Sequence, residues 1–441
     1  MKDRYITEFG NIKCDDASSI INKALIEMQG KGRVIFPAMA IKTSGIDIPS
    51  DSHLHFEDGA RLEFVDSFDA YPPVFTRWEG VDCYAMHPLI FINNAHNVKI
   101  TGKGCLDGNG KTWWDYIYYR RAEQQEPVTD IEKSFALLNP DYKSQPGGGG
   151  GRQTQFLRPT MLQIYKSSNV LLEDFSLINS PFWTFHPIYS SNITVRNVNI
   201  INPYETPNTD GMDIESSTDI KIEDCIVDVG DDGIALKSGS GDQGIKANSP
   251  TKNVVIKNCT VKKAHGGFVI GSETASGFEN IDVSDCKFFG TDRGIRIKTR
   301  RGRGGKISNI KISNVYMEDT ICPITINMYY KWGSDDEKLY SLEKQPITSS
   351  TPSISNITIE NIKSINSKSA GFIAGLPEMP IENVVIKNCS LKVDDSNPEV
   401  FEIEMFKGIP TSTYKGIRII NADVKVENTS VNVDPPILFE N

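Results

Sequence analysis

The chain has 441 residues and a formal net charge of −10, with 39% hydrophobic and 9% aromatic residues, enough for a large core. The acidic balance disfavours nucleic acid as a partner, and no stretch approaches the roughly 18 apolar residues of a membrane span. The opening Met1-Lys2-Asp3-Arg4-Tyr5 lacks the apolar core of a secretory signal, so a cytoplasmic protein is expected unless a leader has been removed.

The first predicted element is a helix over 15–28. Asp15 or Asp16 can cap it, and Ile20, Ile21, Ala24, Leu25 and Met28 form an apolar stripe. It is expected to cover one end of the fold, because an open stack of strands exposes core and strand edges. Residues 111–157 read as the largest irregular insertion. They hold Trp113, Trp114, Tyr116, Tyr118 and Tyr119 and a run of five glycines ending at Gly151. A mobile loop beside a cleft is expected there, since such a run resists one rigid conformation.

From Asn169 onward a template recurs: Asn or Asp, apolar, any, apolar, any, Asn or Asp, apolar. It appears as Asn169-Val-Leu-Leu-Glu-Asp-Phe175, Asn192-Ile-Thr-Val-Arg-Asn-Val198 and Asp219-Ile-Lys-Ile-Glu-Asp-Cys225. Copies follow at Asn253, Asn280, Asn309, Asn356 and Asn383, and Asn97-Val-Lys-Ile is an earlier one. Most steps are 23 to 34 residues; one of 47 holds an insertion at 331–350. Alternation of this kind is strand-like, and strands without helices at such a period predict a solenoid of parallel strands. The expectation is one all-β domain over 1–441, a single-stranded parallel β-helix, closed after about residue 400 by further strands. Asparagines at equivalent turns would stack. Cys225, Cys259, Cys286 and Cys389 share one repeat position and are expected as small buried thiols rather than disulfides.

A second register aligns Asp210-Gly-Met-Asp-Ile-Glu-Ser216 with Asp232-Gly-Ile-Ala-Leu-Lys-Ser238, Gly266-Gly-Phe-Val-Ile-Gly-Ser272 and Arg293-Gly-Ile-Arg-Ile-Lys-Thr299. Met212, Ile234, Phe268 and Ile295 then point inward, with Ile214, Leu236, Ile270 and Ile297. The two-residue period sends Asp213, Glu215, Lys237, Arg296 and Lys298 to the solvent face. Asp210 precedes Asp231 and Asp232 by 21 and 22 residues, lengths that return a coil beside itself. A lone Asp in a solenoid reads as a turn cap. Three at one register, with His265 a coil further on, read as acid–base chemistry on a glycosidic bond. Either the retaining or the inverting carboxylate spacing is compatible with adjacent strands. Crowded like charges would keep one acid protonated as a donor. Arg296, Lys298, Arg300, Arg301 and Arg303 put five cations into eight residues, suited to an anionic ligand. Lys237, between the carboxylate and Arg/Lys coils, is a further candidate contact. Trp183 and His186 lie on the coil before Asp210 and could shape an adjoining subsite or pack in the core. His53, His55, His87 and His96 show no metal-ligand spacing, so no metal is expected, and nothing calls for a cofactor.

Asn208-Thr209-Asp210, Gly230-Asp231-Asp232, His265-Gly266 and Arg296-Ile297-Lys298 resemble, in order and spacing, the four signature segments of the polygalacturonases, glycoside hydrolase family 28. Phe9-Gly10, Leu106-Asp107-Gly108-Asn109-Gly110 and Tyr329-Tyr330 extend the likeness over most of the chain. Ala264 departs from the usual Gly or Ser before the His. The resemblance implies a right-handed parallel β-helix that hydrolyses α-1,4-galacturonosidic bonds with inversion. It implies Asp231 as general acid, Asp210 and Asp232 as the pair that deprotonates water, and His265 as the residue tuning the acid. It further implies Arg296 and Lys298 on substrate carboxylates and Tyr330 against a sugar ring. Phe156-Leu157-Arg158-Pro159 resembles bacterial exo-acting members, which puts Arg158 at the terminal sugar. The missing leader and the 111–157 insertion favour exo action on imported oligogalacturonates. Rival readings are a rhamnogalacturonan or xylogalacturonan hydrolase, a calcium-dependent pectate lyase, and a non-catalytic carbohydrate-binding solenoid.

Overall fold

The computed structural model describes residues 2–123, 126–143, 158–394, 396 and 402–440. Three faces of parallel strands recur coil after coil, the parallel β-helix that the repeat predicts, with the right hand that the family resemblance implies. Internal contacts divide the chain mainly into a first unit ending at Gly230 and a second running from Asp231, with Glu79–Val81 grouped in the second.

In the first unit the template strands Ser168–Glu173, Ser191–Arg196 and Thr218–Glu223 pair in register, Val170 beside Ile193 and Ile193 beside Ile220. A separate face carries Leu162–Tyr165, Phe185–Ile188 and Met212–Glu215. In the second unit the template strands Thr251–Lys257, Phe278–Ser284 and Lys306–Ser313 repeat the arrangement. Its functional face is built from Asp232–Lys237, Gly266–Ile270, Arg293–Lys298 and Cys322–Asn327, with Ile234, Phe268, Ile295 and Ile324 in one row.

The recurrent Asn and Asp have a backbone reason. The opening template residue takes the left-handed conformation at φ 56° in Asn169, 54° in Asn192, 58° in Asn280 and 60° in Asn309. The sixth position does so too, at 73° in Asp174, 52° in Asn197 and 58° in Asp285. These two residues bend the chain at each end of the strand, and apart from Gly only Asn and Asp visit that region readily. Their side chains form the expected ladders. Asn192 Nδ2 donates to Asn169 Oδ1 at 2.6 Å, Asn280 to Asn253 at 3.2 Å, and Asn197 to Asp174 at 2.7 Å. The inward rows are buried throughout, Met212, Ile234, Phe268 and Ile295 among them. All eight cysteines are free thiols. Cys225, Cys259, Cys286 and Cys389 are buried, and each Sγ lies 3.2–3.3 Å from the carbonyl two residues earlier.

Three features differ from the sequence reading. The N-terminal helix spans Ser18–Met28 and starts later than expected. Asp16 does accept the Ser18 N–H, but its carboxylate also takes the Ser44 N–H and hydroxyl, tying the helix entry to the next loop. Ile21, Ala24, Leu25 and Met28 are buried, whereas Ile20 is half-buried. Second, the 111–157 insertion is helical where an irregular loop was expected: Lys111–Glu123 and Asp130–Leu138 are helices. Thr129 and Glu132 form a reciprocal capping box at the second. Trp113 is fully buried against Phe68 and Tyr71 and anchors the insertion, whereas Tyr118 and Tyr119 are exposed. The glycine run and the rest of 144–157 lie outside the described residues. Third, the 331–350 insertion contains a short helix, Glu337–Tyr340, whose Tyr340 is buried. Among the described residues no helix is long and apolar enough to cross a membrane.

Candidate active site

In the first unit, Asp210 immediately precedes the functional-face strand Met212–Glu215 and is 3% exposed. The loop leading to it is pinned from several sides. Asn202 Nδ2 donates to the Thr209 carbonyl at 3.1 Å, and the Thr206 and Thr209 hydroxyls share a 2.6 Å hydrogen bond. Arg158, expected at a terminal sugar, is instead buried under this loop. It donates to the Pro207 carbonyl at 2.5 Å and Asn208 Oδ1 at 3.0 Å and lies 4.6 Å over the Phe182 ring. The correction has a simple cause: Asn208 turns at φ 54°, leaving carbonyls that a guanidinium fork satisfies. Arg158 thus braces the Pro207–Asn208 turn that precedes Asp210. His186 is buried and hydrogen-bonded through Nε2 to Glu215 at 2.9 Å, and Trp183 is buried in a stack with Phe182. Both therefore pack rather than line an open subsite.

In the second unit, Asp231 and His265 meet across neighbouring coils. The His265 N–H donates to the Asp231 carbonyl at 2.9 Å, and His265 Nδ1 stands 3.3 Å from Asp231 Oδ1. The two side chains keep partial exposure, 21% for Asp231 and 32% for His265. Burial works to raise the Asp231 carboxyl, but the charge and hydrogen bond of His265, then Lys298, hold it well below the usual carboxylate range. Burial likewise opposes the imidazolium, and Asp231 first, then Asp232 and Asp292, hold His265 above its ordinary value. One proton is thus shared by a tightly linked pair.

One register position on, Asp232 sits between two cations. Lys298 Nζ donates to its Oδ2 at 2.6 Å and Arg296 Nη1 to its Oδ1 at 3.3 Å. Glu404, which sequence reasoning missed, accepts the other edge of the same guanidinium, at 3.1 Å from Nε and 2.8 Å from Nη2. Arg296 is 1% exposed and Glu404 is 1% exposed. Burial works against each charge; Glu404, then Asp232, raise Arg296, while Arg296 is the main group lowering Glu404 to about 2. Tyr330 is buried with its ring 5.3 Å from Lys298 Nζ and 5.8 Å from the Arg296 guanidinium.

The expectation of solvent-facing cations is therefore corrected. Arg296, Lys298 and Lys237 do point away from the core, but all are buried by what lies over the strand. Lys237 Nζ is 3.2 Å from Glu273, a second residue missed from sequence, and also reaches the Gly271 carbonyl. Burial opposes the Glu273 charge, yet Lys237, Arg303 and Lys298 lower it to about 2. Arg301 pairs with Glu378. Asp213 and Glu215 in the first unit are likewise buried, not on a wet face. Glu404 lies 108 residues from Arg296 in a non-repeating segment, so no periodic signal marks it. Glu273 could have been found, since it follows the Gly266–Ile270 strand on the side where Lys237 and Lys298 emerge.

The family profile for glycosyl hydrolases family 28 matches residues 145–413. An endo-polygalacturonase of Pectobacterium carotovorum subsp. carotovorum is 30% identical over 369 residues, covering 79% of this chain and 81% of its own length. A probable polygalacturonase of Vitis vinifera is 27% identical over 370 residues, covering 82% and 67%. Among solved structures, a hyperthermoactive exopolygalacturonase from Thermotoga maritima superposes with a TM-score of 0.79 at 26% identity, covering 98% of this chain and 92% of that one. The profile match spans both the Asp231–His265 pair and the Asp232–Arg296–Lys298 cluster, and the chain belongs to glycosyl hydrolase family 28.

Proposed function

We propose that the protein is an exo-acting polygalacturonase that removes sugars from pectin-derived oligogalacturonates with inversion of configuration. Asp231 acts as the general acid; because His265 holds its carboxyl low instead of crowding keeping it protonated, the proton rests on the His265 imidazole and reaches the leaving oxygen through Asp231 across their 3.3 Å contact. Asp232, its carboxylate oriented by Lys298 and Arg296, and Asp210, fastened by its pinned loop, orient and deprotonate the attacking water. The part given to Asp210 rests on its match to the family motif. The observation that carries the reading is the Asp231–His265 contact beside a carboxylate clamped by two cations. Family 28 is a hydrolase family, which sets aside the lyase and the non-catalytic readings.

Exo action is supported by the similarity to the Thermotoga maritima exopolygalacturonase. The similarity to an endo-polygalacturonase pulls the other way, so products decide. On tri- and tetragalacturonate, anomer-resolved NMR should show inverted product and release of monomer or dimer from the start. Intermediate-length fragments appearing first on longer oligomers would overturn exo action, and retained configuration would overturn the acid–base assignment.

A further inference from the structure

The family resemblance implies Tyr330 against a sugar ring, but the structure buries that ring under Arg296 and Lys298. Two residues on, Trp332 is 50% exposed and offers an apolar ring face with a polar N–H. Its Nε1 lies 3.3 Å from Met405 Sδ, next to the Glu404 that covers Arg296, and Lys331 sits 5.5 Å over its ring. Its backbone carbonyl accepts from Arg300 Nε and Arg303 Nη2, each at 3.4 Å.

Arg300 differs from every other cation in this cluster. Arg296 and Lys298 pair with Asp232, Lys237 and Arg303 with Glu273, and Arg301 with Glu378. Among the described residues Arg300 has carbonyl partners only, those of Trp332, Arg301 and Gly333. It is buried all the same. A buried cation without a counter-charge is costly unless an anion is meant to arrive. Burial first, and then Arg303, depress its pKa to about 10, a sign of the same unmet charge. Gly302 beside it is exposed and turns at φ 85°. A Cβ there would stand 3.2 Å from Arg300 Nη1, so the glycine adds no side chain against that nitrogen, which donates to the Arg301 carbonyl.

We propose that Trp332 and Arg300 form an additional uronate-binding point, the indole taking the face of a sugar ring and the guanidinium its carboxylate. This deepens the polygalacturonase reading and rests on it for the identity of the ligand. A guanidinium forks onto a planar carboxylate, and a uronic acid carries that group at the rim of an apolar ring face. The point lies beside the Arg296–Glu404 pair and so engages a sugar other than the one being cut.

The test is calorimetric titration of trigalacturonate into protein carrying Asp231→Asn, so that the oligomer is not consumed, alongside kcat and KM on the same oligomer with Asp231 intact. Trp332→Ala and Arg300→Gln should each weaken binding and raise KM about tenfold, the loss of one stacking or one charged contact. kcat should change much less. Arg300→Lys, which keeps the charge but cannot bridge three carbonyls, should recover most of the affinity. If Arg300→Gln and Arg300→Lys are equally impaired, Arg300 is scaffold and the proposal falls. If Arg300→Gln fails to fold, exposed Trp332 decides: an unchanged affinity in Trp332→Ala overturns the proposal. A wild-type protein that binds trigalacturonate through these residues yet does not cut it would sink the proposed activity and leave this site standing.

Discussion

Glu404→Gln is the most informative single change, because it alters one charge and almost no volume at a fully buried pair. Glu404 spans the Nε and Nη2 edge of Arg296 with bonds of 3.1 and 2.8 Å, both partners being dry. Its carboxyl is lowered from 4.5 to about 2, with burial opposing and Arg296 leading the stabilising groups. That shift corresponds to about 3 kcal/mol of folded-state stability at neutral pH. Breaking a buried pair generally costs about 3–5 kcal/mol, and the Arg296–Asp232 contact that remains favours the lower figure. Because the folded pKa is depressed, the contribution is complete above pH 4.5 and is lost as pH falls toward 2. Urea unfolding of wild type and variant at pH 7, 5 and 3 reads this directly. The gap should be about 3 kcal/mol at pH 7 and shrink at pH 3. A double change, Glu404→Gln with Arg296→Met, should recover part of the loss, since the stranded cation is gone. A gap under about 1 kcal/mol at pH 7, or one that does not vary with pH, would refute the buried-clamp account.

Three further outcomes are expected. Asp231→Asn should keep oligogalacturonate binding while cutting turnover by about 10²–10⁴, the usual worth of a positioned acid; binding titration and product release separate the two. His265 is raised by Asp231 against the pull of burial, so the shared proton is lost as pH rises through a value above 6.5. The alkaline limb of kcat/KM should therefore lie above 6.5, and His265→Asn should move it below; an unmoved limb would remove His265 from the proton path. Asn280→Ala should destabilise by about 1–2 kcal/mol by denaturant unfolding, because alanine resists the left-handed φ of 58° and the ladder bonds to Asn253 and Asn309 vanish. Asn280→Gly, free of the backbone strain, should lose less.

The repeat was legible because its causes are local. Alternating apolar residues specify strands, and Asn or Asp at fixed positions supplies the left-handed bends. Cys225, Cys259, Cys286 and Cys389 fill one buried slot, so strand faces, inward rows and the Asp231–His265 contact all follow from period. The helices within 111–143 were hidden by a glycine run and crowded aromatics, whose periodicity was outweighed by composition. What only the tertiary structure decided was which cations remain available. Alternation correctly turns Arg296, Lys298 and Lys237 away from the core, but it says nothing about what then covers them. Glu404 and Glu273 do so from outside the strand pattern, and a charge's partner is chosen by proximity in space. Arg300, one residue among five basic ones in sequence, stands apart because, among the described residues, the fold supplies carboxylates to its neighbours and only carbonyls to it.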